Sequence, residues 1–500
     1  MIISLLSVEN IINRKNRRPR QELTFFIRLE NIDFHKQVDV IWAGEDGIWR
    51  TTKASFYSHL KENVECWRAR VVCELKPEQS LPGNIHFGLR YRVSDQEYWD
   101  NRQGANYQSE ADSGILLGAG LTIASIGFNH RLDARQKSRQ LMVAVDRSLQ
   151  PEKVVVHWTT NDWQTTHQTV CHFRHDYWNE QALSNARNPN QYGIGIWTTR
   201  LRIGTHFRLQ YCIACETAEG TVWDNNDGAN YVASHKSLSV MVLNLHCYQE
   251  DNQDEKFSII AKAIDNEEVD VVCFQEVAEN WNDGQGDWDS NSANIINQRL
   301  KKPFHLYSDW SHLGFERYRE GVALLSRYPF LYQESRYISD SEDVYNIHSR
   351  KAVMGRVRIP YIGLINAFSV HLSWWEDGFK AQFQRLCEWA GQRHGRQVKA
   401  TLLCGDFNVA AGSEGYRLIV ENHRYEDQFL AANRKGLFDQ IFRVNDAHWG
   451  DLLNDDYRID YIFMNKDAAL KVTSARVLFT HEDYGQVSDH VGFVMTFEPK

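Results

Sequence analysis

The sequence predicts a multidomain chain: a duplicated all-β region followed by one α/β domain. Three observations carry this. The first 240 or so residues hold an internal repeat, and each copy reads as short strands. From Ser237 onward, near-continuous apolar strands alternate with stretches of helical period. The length of 500 residues accommodates about three domains at roughly 100–200 residues each.

Composition narrows the class. Hydrophobic residues make up 42% and charged residues 24%, which excludes a mainly disordered chain. The longest apolar run, Ile115 to Phe128, is broken by Gly118, Gly120 and Ser125 and falls short of the roughly 18–20 residues that span a bilayer. The N-terminal MIISLL block is too brief for a signal peptide, and the basic cluster Arg14 to Arg20 follows it. Net charge is −9, divided as about +2 before residue 241 and about −11 after it. An acidic half is a poor match for high-affinity nucleic-acid binding, which needs a basic surface. Nine cysteines lack disulfide or zinc spacing, and the single C-x-x-C, Cys212 to Cys215, sits in a strand-like run. Reduced thiols without an export signal predict a cytoplasmic location.

The repeat is read in order. Gln37–Trp42 matches Lys153–Trp158, Phe87–Val93 matches Phe207–Ile213, and Tyr98–Tyr107 matches Val222–Tyr231. Turn signals such as GEDG and DNRQG separate the strands, which predicts a β-sandwich in each copy. The expected boundaries are 1–112, 113–236 and 237–500. Tryptophans recur at matching positions: Trp42 and Trp49 with Trp158 and Trp163, and Trp99 with Trp223. A flat indole matches the C–H face of a sugar ring, and neighbouring Asn side chains both donate to and accept from hydroxyls.

The strings WTTNDWQ (Trp158 to Gln164) and WDNNDGANY (Trp223 to Tyr231), with their first-copy equivalents, resemble starch- or glycogen-binding modules of carbohydrate-binding module family 21. The resemblance implies two immunoglobulin-like sandwiches. It carries the sugar contacts onto Trp42, Trp49, Trp99, Asn101 and Asn106 in copy one. In copy two they fall on Trp158, Trp163, Trp223, Asn225 and Asn230. Copy one departs from the pattern, because Arg102 replaces the second Asn of D-N-N.

In the second half, strand-like runs end in polar residues. Asn244 lies in LNLHC, Glu276 ends DVVCFQE and His371 ends NAFSVH. Asp406 and Asn408 end TLLCGDFN, Asp460 lies in RIDYIF, and Asp489 and His490 lie in VSDH. Such groups gather at one rim of a sheet. Their oxygen-rich chemistry suits Mg²⁺, with Mn²⁺ as the alternative, better than zinc.

Singly, each motif is weak; six in a set order form a specific signal. Together they resemble the endonuclease/exonuclease/phosphatase superfamily, whose DNase I-like fold is a four-layer α/β sandwich. The resemblance implies metal-assisted phosphoester hydrolysis. It assigns Asn244, Glu276 and Asp489 to the metal, and Asp406 and Asn408 to the attacking water and the phosphate. His490 becomes a base or phosphate contact oriented by Asp460, and His371 a donor to phosphate or leaving group. The catalytic half also resembles the maltose-6'-phosphate phosphatases of this superfamily. The expected substrate is therefore a phosphorylated maltose, maltodextrin or other α-glucan sugar, with a glycogen- or starch-like polymer on the modules and no membrane. Trp374 and Trp375, just after His371, either stack on glucose or pack between helix and sheet. A Mg-dependent endonuclease or other phosphodiesterase with glucan-targeting modules is the alternative, and a non-enzymatic glycogen-binding scaffold a third reading.

Overall fold

The computed structural model describes residues 2–15, 17–33, 35–77, 80–422, 424–434 and 458–500. The chain divides into two compact units, Met1–Lys236 and Ser237–Lys500.

The first unit is two β-sandwiches of matching design. In the first, a sheet ordered Gly114–Leu117, Ile3–Asn13, Arg20–Glu30, Val64–Glu74, Ser55–Lys61 faces a second ordered Trp49–Lys53, Lys36–Ala43, Ile85–Val93, Gln96–Asp100. Clean alternation drives this: Arg20–Glu30 buries every second residue, with Leu23, Phe25, Ile27 and Leu29 pointing inward. Each fully buried side chain of this size contributes about 1.5–3 kcal/mol. The second sandwich repeats the plan with Ile123–Ile126, Arg139–Asp146, Ile194–Leu201 and His172–Phe173 against His167–Val170, Lys153–Thr159, Arg208–Thr217 and Gly220–Asp224. Cys212 and Cys215 lie buried in one of these strands.

The expected join at 112/113 cuts through the first sandwich. Gly114–Leu117 pairs antiparallel with Ile3–Asn13, for example Val8 with Leu116. Nothing in GILL marks which neighbour it will pair with. The two sandwiches also share apolar packing. Leu60 and Cys66 join the cluster around Tyr211 and Tyr231, and Ile11 and Leu117 join the one around Trp178. Asp112 accepts from Ser184 Oγ and from Asn185 N at 2.9 Å. Asn226 Nδ2 donates to Leu60 O at 2.6 Å.

The second unit holds two six-stranded mixed sheets with helices outside. One sheet runs His305–Gly314, Tyr318–Ser326, Val271–Asn280, Leu238–Asn244, Gly492–Pro499, Leu470–Leu478. The other runs Phe330–Tyr337, Lys351–Ile359, Gly363–His371, Val398–Asp406, Asp460–Asn465, Tyr425–Asp427. The helix Gln253–Asn266 buries Phe257, Ile260, Ala261 and Ile264, the face its period predicts, against the first sheet. Phe379–Arg393 packs Phe383, Leu386 and Ala390 on the second. Between the sheets, Gln275 Nε2 donates to Ser369 Oγ at 2.9 Å. This is the four-layer sandwich. No helix among the described residues is long and apolar enough to cross a membrane.

Candidate active site and glucan-binding faces

The strands that end in polar residues converge on one cleft of 680 Å³. Leu238–Asn244 and Val271–Asn280 are parallel neighbours, with Asn244 beside Gln275 in register. A bulge between Phe274 and Val277 puts Glu276 at φ 48° and re-aims its carboxylate. Asn244 Nδ2 donates to Glu276 Oε1 at 2.9 Å and to Asp406 Oδ2 at 3.1 Å. Parallel pairing sets His371 opposite Asp406, and antiparallel pairing sets Asp406 opposite Asp460. The glycine of GDFN is required here: at φ 142°, a Cβ on Gly405 would lie 2.0 Å from Val370 O.

Protonation states follow from the surroundings. Burial, then the charge of Asp460, pushes Asp406 up to about 7. Burial opposes a charge on His490, but Asp460, Asp406 and Asp489 outweigh it and hold its pKa well above normal. His490 Nδ1 lies 2.6 Å from Asp460 Oδ2, and Nε2 lies 3.8 Å from Asp406 Oδ2. His371 goes the other way: burial, with Arg350, His312 and His490 nearby, drives its pKa well below normal. Asn408 Nδ2 donates to Leu372 O at 2.8 Å and to His371 Nε2 at 3.1 Å, so the neutral ring carries its proton on Nδ1. Burial, then Glu320, raises Glu276.

All eight expected catalytic and metal positions are gathered around this cleft. Asp489 lies 3.9 Å from His490 Nε2 and 3.6 Å from His246 Nδ1. The expected pair Trp374 and Trp375 divides. Trp374 lines the cleft, while Trp375 packs against the core beside Phe379.

Among the cleft residues that escaped the sequence reading are His246, His312, Glu320 and Arg350. His246 Nδ1 meets Glu250 Oε1 at 2.7 Å. Burial opposes its charge, and Glu250, Asp489 and Glu276 still raise its pKa. His312 and Glu320 face each other across paired strands, with Nε2 3.4 Å from Oε1. Only His246, two residues past Asn244, carried a usable signal.

The expected sugar-contacting tryptophans do not form one face. Trp42 is 2% exposed and Trp158 is 9% exposed; both lie in sandwich cores. Their indole N–H groups donate to Thr52 Oγ1 at 3.0 Å and Thr169 Oγ1 at 2.9 Å. This corrects the expectation for both, since a ring enclosed by its own sheets cannot stack on a sugar. Trp49, Trp99 and Trp223 are about half exposed, and Trp163 is half-buried. Trp49 and Trp99 occupy opposite edge strands of one sheet. Asn101 and Asn225 use their side-chain oxygens to close a turn, accepting from Gly104 N and Gly228 N at 3.0 Å each. Asn106 and Asn230 follow in the left-handed region at φ 58°.

Sequence comparison fixes the lineage of this arrangement. Residues 241–490 match the model of the Endonuclease/Exonuclease/phosphatase family. The chain belongs to that family. Members of the Endonuclease/Exonuclease/phosphatase family are hydrolases, generally metal-dependent. Residues 5–110 and 131–234 match the carbohydrate/starch-binding module, family 21. Protein phosphatase 1 regulatory subunit 3E of Mus musculus is 34% identical over 80 residues, 16% of this chain and 28% of that protein. The chain thus spans about a quarter of that relative. An endonuclease/exonuclease/phosphatase family protein from Leptotrichia buccalis is similar at 26% identity and TM-score 0.46, covering 52% of this chain and all of that one. A mannosyl-6-phosphatase from Bacteroides thetaiotaomicron is similar at 16% identity and TM-score 0.40, with coverage of 52% and 100%.

Proposed function

We propose that this chain is a metal-dependent phosphomonoesterase acting on a phosphorylated maltose, maltodextrin or other α-glucan sugar, with maltose-6'-phosphate as the leading substrate. One observation carries the choice of substrate class. Among the described residues the cleft wall holds one arginine, Arg350, and no lysine, while Phe315, Tyr345 and Trp374 supply aromatic rings. A nucleic-acid backbone calls for several cations; a single sugar phosphate calls for one and for ring faces to stack on. The family 21 modules support the same class. A cytoplasmic site of action, expected from the thiols, is part of the proposal.

Asn244, Glu276 and Asp489 would hold Mg²⁺ or Mn²⁺. The donors are oxygens, and Glu276 sits among acids that raise its pKa, a charge imbalance that a hard cation relieves. The bound ion would draw charge from the phosphate oxygens. The residues do the rest. Asp406, with a pKa near neutrality, takes a proton from the attacking water, which Asn408 helps to position. His490 enters as a cation, fixed by Asp460, and gives its Nε2 proton to the departing sugar oxygen as the P–O bond breaks. Neutral His371 hydrogen-bonds within the phosphate site.

The test is inorganic phosphate release from maltose-6'-phosphate and glucose-6-phosphate, beside nicking of supercoiled plasmid, each with and without EDTA. Metal-dependent release from the maltose ester, lost in Asp406→Ala, is expected. Plasmid nicking without sugar turnover would replace this reading with the endonuclease one, and full activity in Asp406→Ala would overturn the site.

A further inference from the structure

The loop after Val271–Asn280 repeats the turn that carries the tryptophan motif in both sugar modules. In the first module the strand Gln96–Asp100 ends and Asn101 O accepts from Asn106 N at 2.8 Å. In the second, Gly220–Asp224 ends and Asn225 O accepts from Asn230 N at 2.7 Å. In the catalytic unit, Val271–Asn280 ends and Trp281 O accepts from Gly286 N at 3.0 Å. Inside each loop a second bond runs between equivalent positions: Ala105 N to Arg102 O, Ala229 N to Asn226 O, Gln285 N to Asn282 O. The left-handed residues also coincide. They are Arg102, Gln103 and Gly104; Asn226, Asp227 and Gly228; and Asn282, Asp283 and Gly284, each run followed two residues on by Asn106, Asn230 or Gly286, again at positive φ. Consecutive left-handed residues are costly for L-amino acids, so this is an unusual turn to meet three times.

In the catalytic unit the turn borders a pocket of 400 Å³, within the size range of small-ligand sites. Trp288, 50% exposed, and Trp310 supply ring faces. Glu279, Asn291, Asp309 and Gln285 supply polar groups. Among the described residues the wall holds one cation, Arg319, and it is paired: its Nη1 lies 3.2 Å from Glu279 Oε1, while the wall carboxylate Asp309 has Lys351 Nζ 3.1 Å from its Oδ2. Arg319 is also held over the Trp281 and Trp310 rings, at 5.5 and 5.1 Å. The pocket has aromatic platforms and hydrogen-bonding groups with no surplus positive charge, so it suits an uncharged polyhydroxyl ring and not a phosphate. It is distinct from the catalytic cleft: on Tyr318–Ser326, Glu320 lines the cleft and its neighbour Arg319 lines this pocket, as strand alternation requires.

We infer that this pocket is a further saccharide site, which holds an unphosphorylated glucosyl unit of an α-glucan at the same sheet end as the cleft. The inference rests on the glucan reading of the modules and is independent of which ester is cleaved.

The test uses the full chain with Trp49, Trp99, Trp163 and Trp223 all changed to Ala. Glycogen co-sedimentation should persist, about 10²-fold weaker once the linked sites are lost, and adding Trp288→Ala should remove it. Maltoheptaose should slow amide hydrogen exchange at residues 281–291 in the fourfold variant, a measurement that leaves Trp288 intact. The site is overturned if exchange there is unchanged by maltoheptaose, or if Trp288→Ala leaves the residual glycogen binding as it was. Failure of every phosphosugar to release phosphate, with protection at 281–291 retained, would sink the proposed reaction and leave this site standing.

Discussion

Asp460 Oδ2 and His490 Nδ1 meet at 2.6 Å, although thirty residues separate them in the chain. The carboxylate is buried and gives the imidazole both a fixed orientation and a counter-charge. Asp460→Asn keeps the shape and removes the charge. On the proposed mechanism kcat for phosphate release should fall about 10²–10⁴-fold with KM nearly unchanged. The His490 pKa should drop, moving the alkaline limb of the pH–rate profile to lower pH. A kcat within tenfold of wild type would remove Asp460 from the mechanism.

Metal binding should be visible without turnover. Mg²⁺ should raise the Tm of the catalytic unit, because a ligand bound only by the folded state stabilises it. Glu276→Gln should shift the half-maximal Mg²⁺ concentration for that rise upward by about tenfold or more. Equal Mg²⁺ dependence in the two proteins would argue against Glu276 as a ligand.

The paired tryptophans of the modules should separate into two behaviours. Trp42→Ala opens a cavity in a closed core and should destabilise its sandwich by about 3–5 kcal/mol, read by denaturant unfolding. Trp223→Ala removes a half-exposed ring and should leave unfolding within about 0.5 kcal/mol while weakening glycogen binding. The opposite pattern would reverse which tryptophans face the sugar.

The contact between the two modules should weaken in acid. His130 Nδ1 accepts from His59 N at 3.2 Å, and burial, then His59, lowers the His130 pKa to about 4. The stability it confers is complete above the unfolded value of about 6.5 and is lost as pH falls from there towards 4. Denaturation of wild type and His130→Gln between pH 7.5 and 4.5 checks this. The variant should show the shallower dependence; parallel curves would exclude His130.

Much of the catalytic site was legible because several motifs close a strand, so chain position and sheet edge coincide. Asn244, His371 and Asp406 are of this kind, whereas Glu276 sits at a bulge inside Val271–Asn280 and Asp460 opens its strand. The missed residues depend on register. His312 meets Glu320 only through a hairpin with a bulge between Trp310 and His312, and no local pattern encodes that bulge. The tryptophans show a second limit. Lys36–Ala43 lacks clean alternation, with Val38, Asp39 and Val40 buried in succession, so periodicity could not tell which way Trp42 points. The Gly114–Leu117 strand shows a third: its sequence is equally apolar towards either neighbour, and long-range pairing decides.

The shared packing of the two sandwiches turns a tandem repeat into a caliper. With Leu60 and Cys66 in one common cluster and Ile11 and Leu117 in another, neither module swings on a tether. The indoles of Trp99 and Trp223 are held a set distance apart by the protein interior. On the proposed glucan reading, a short oligosaccharide would occupy one jaw at a time, and only a glucan long enough and curved to match would close both. On that reading, chain-length discrimination would lie in the joint between the repeats, apart from the chemistry of either binding face.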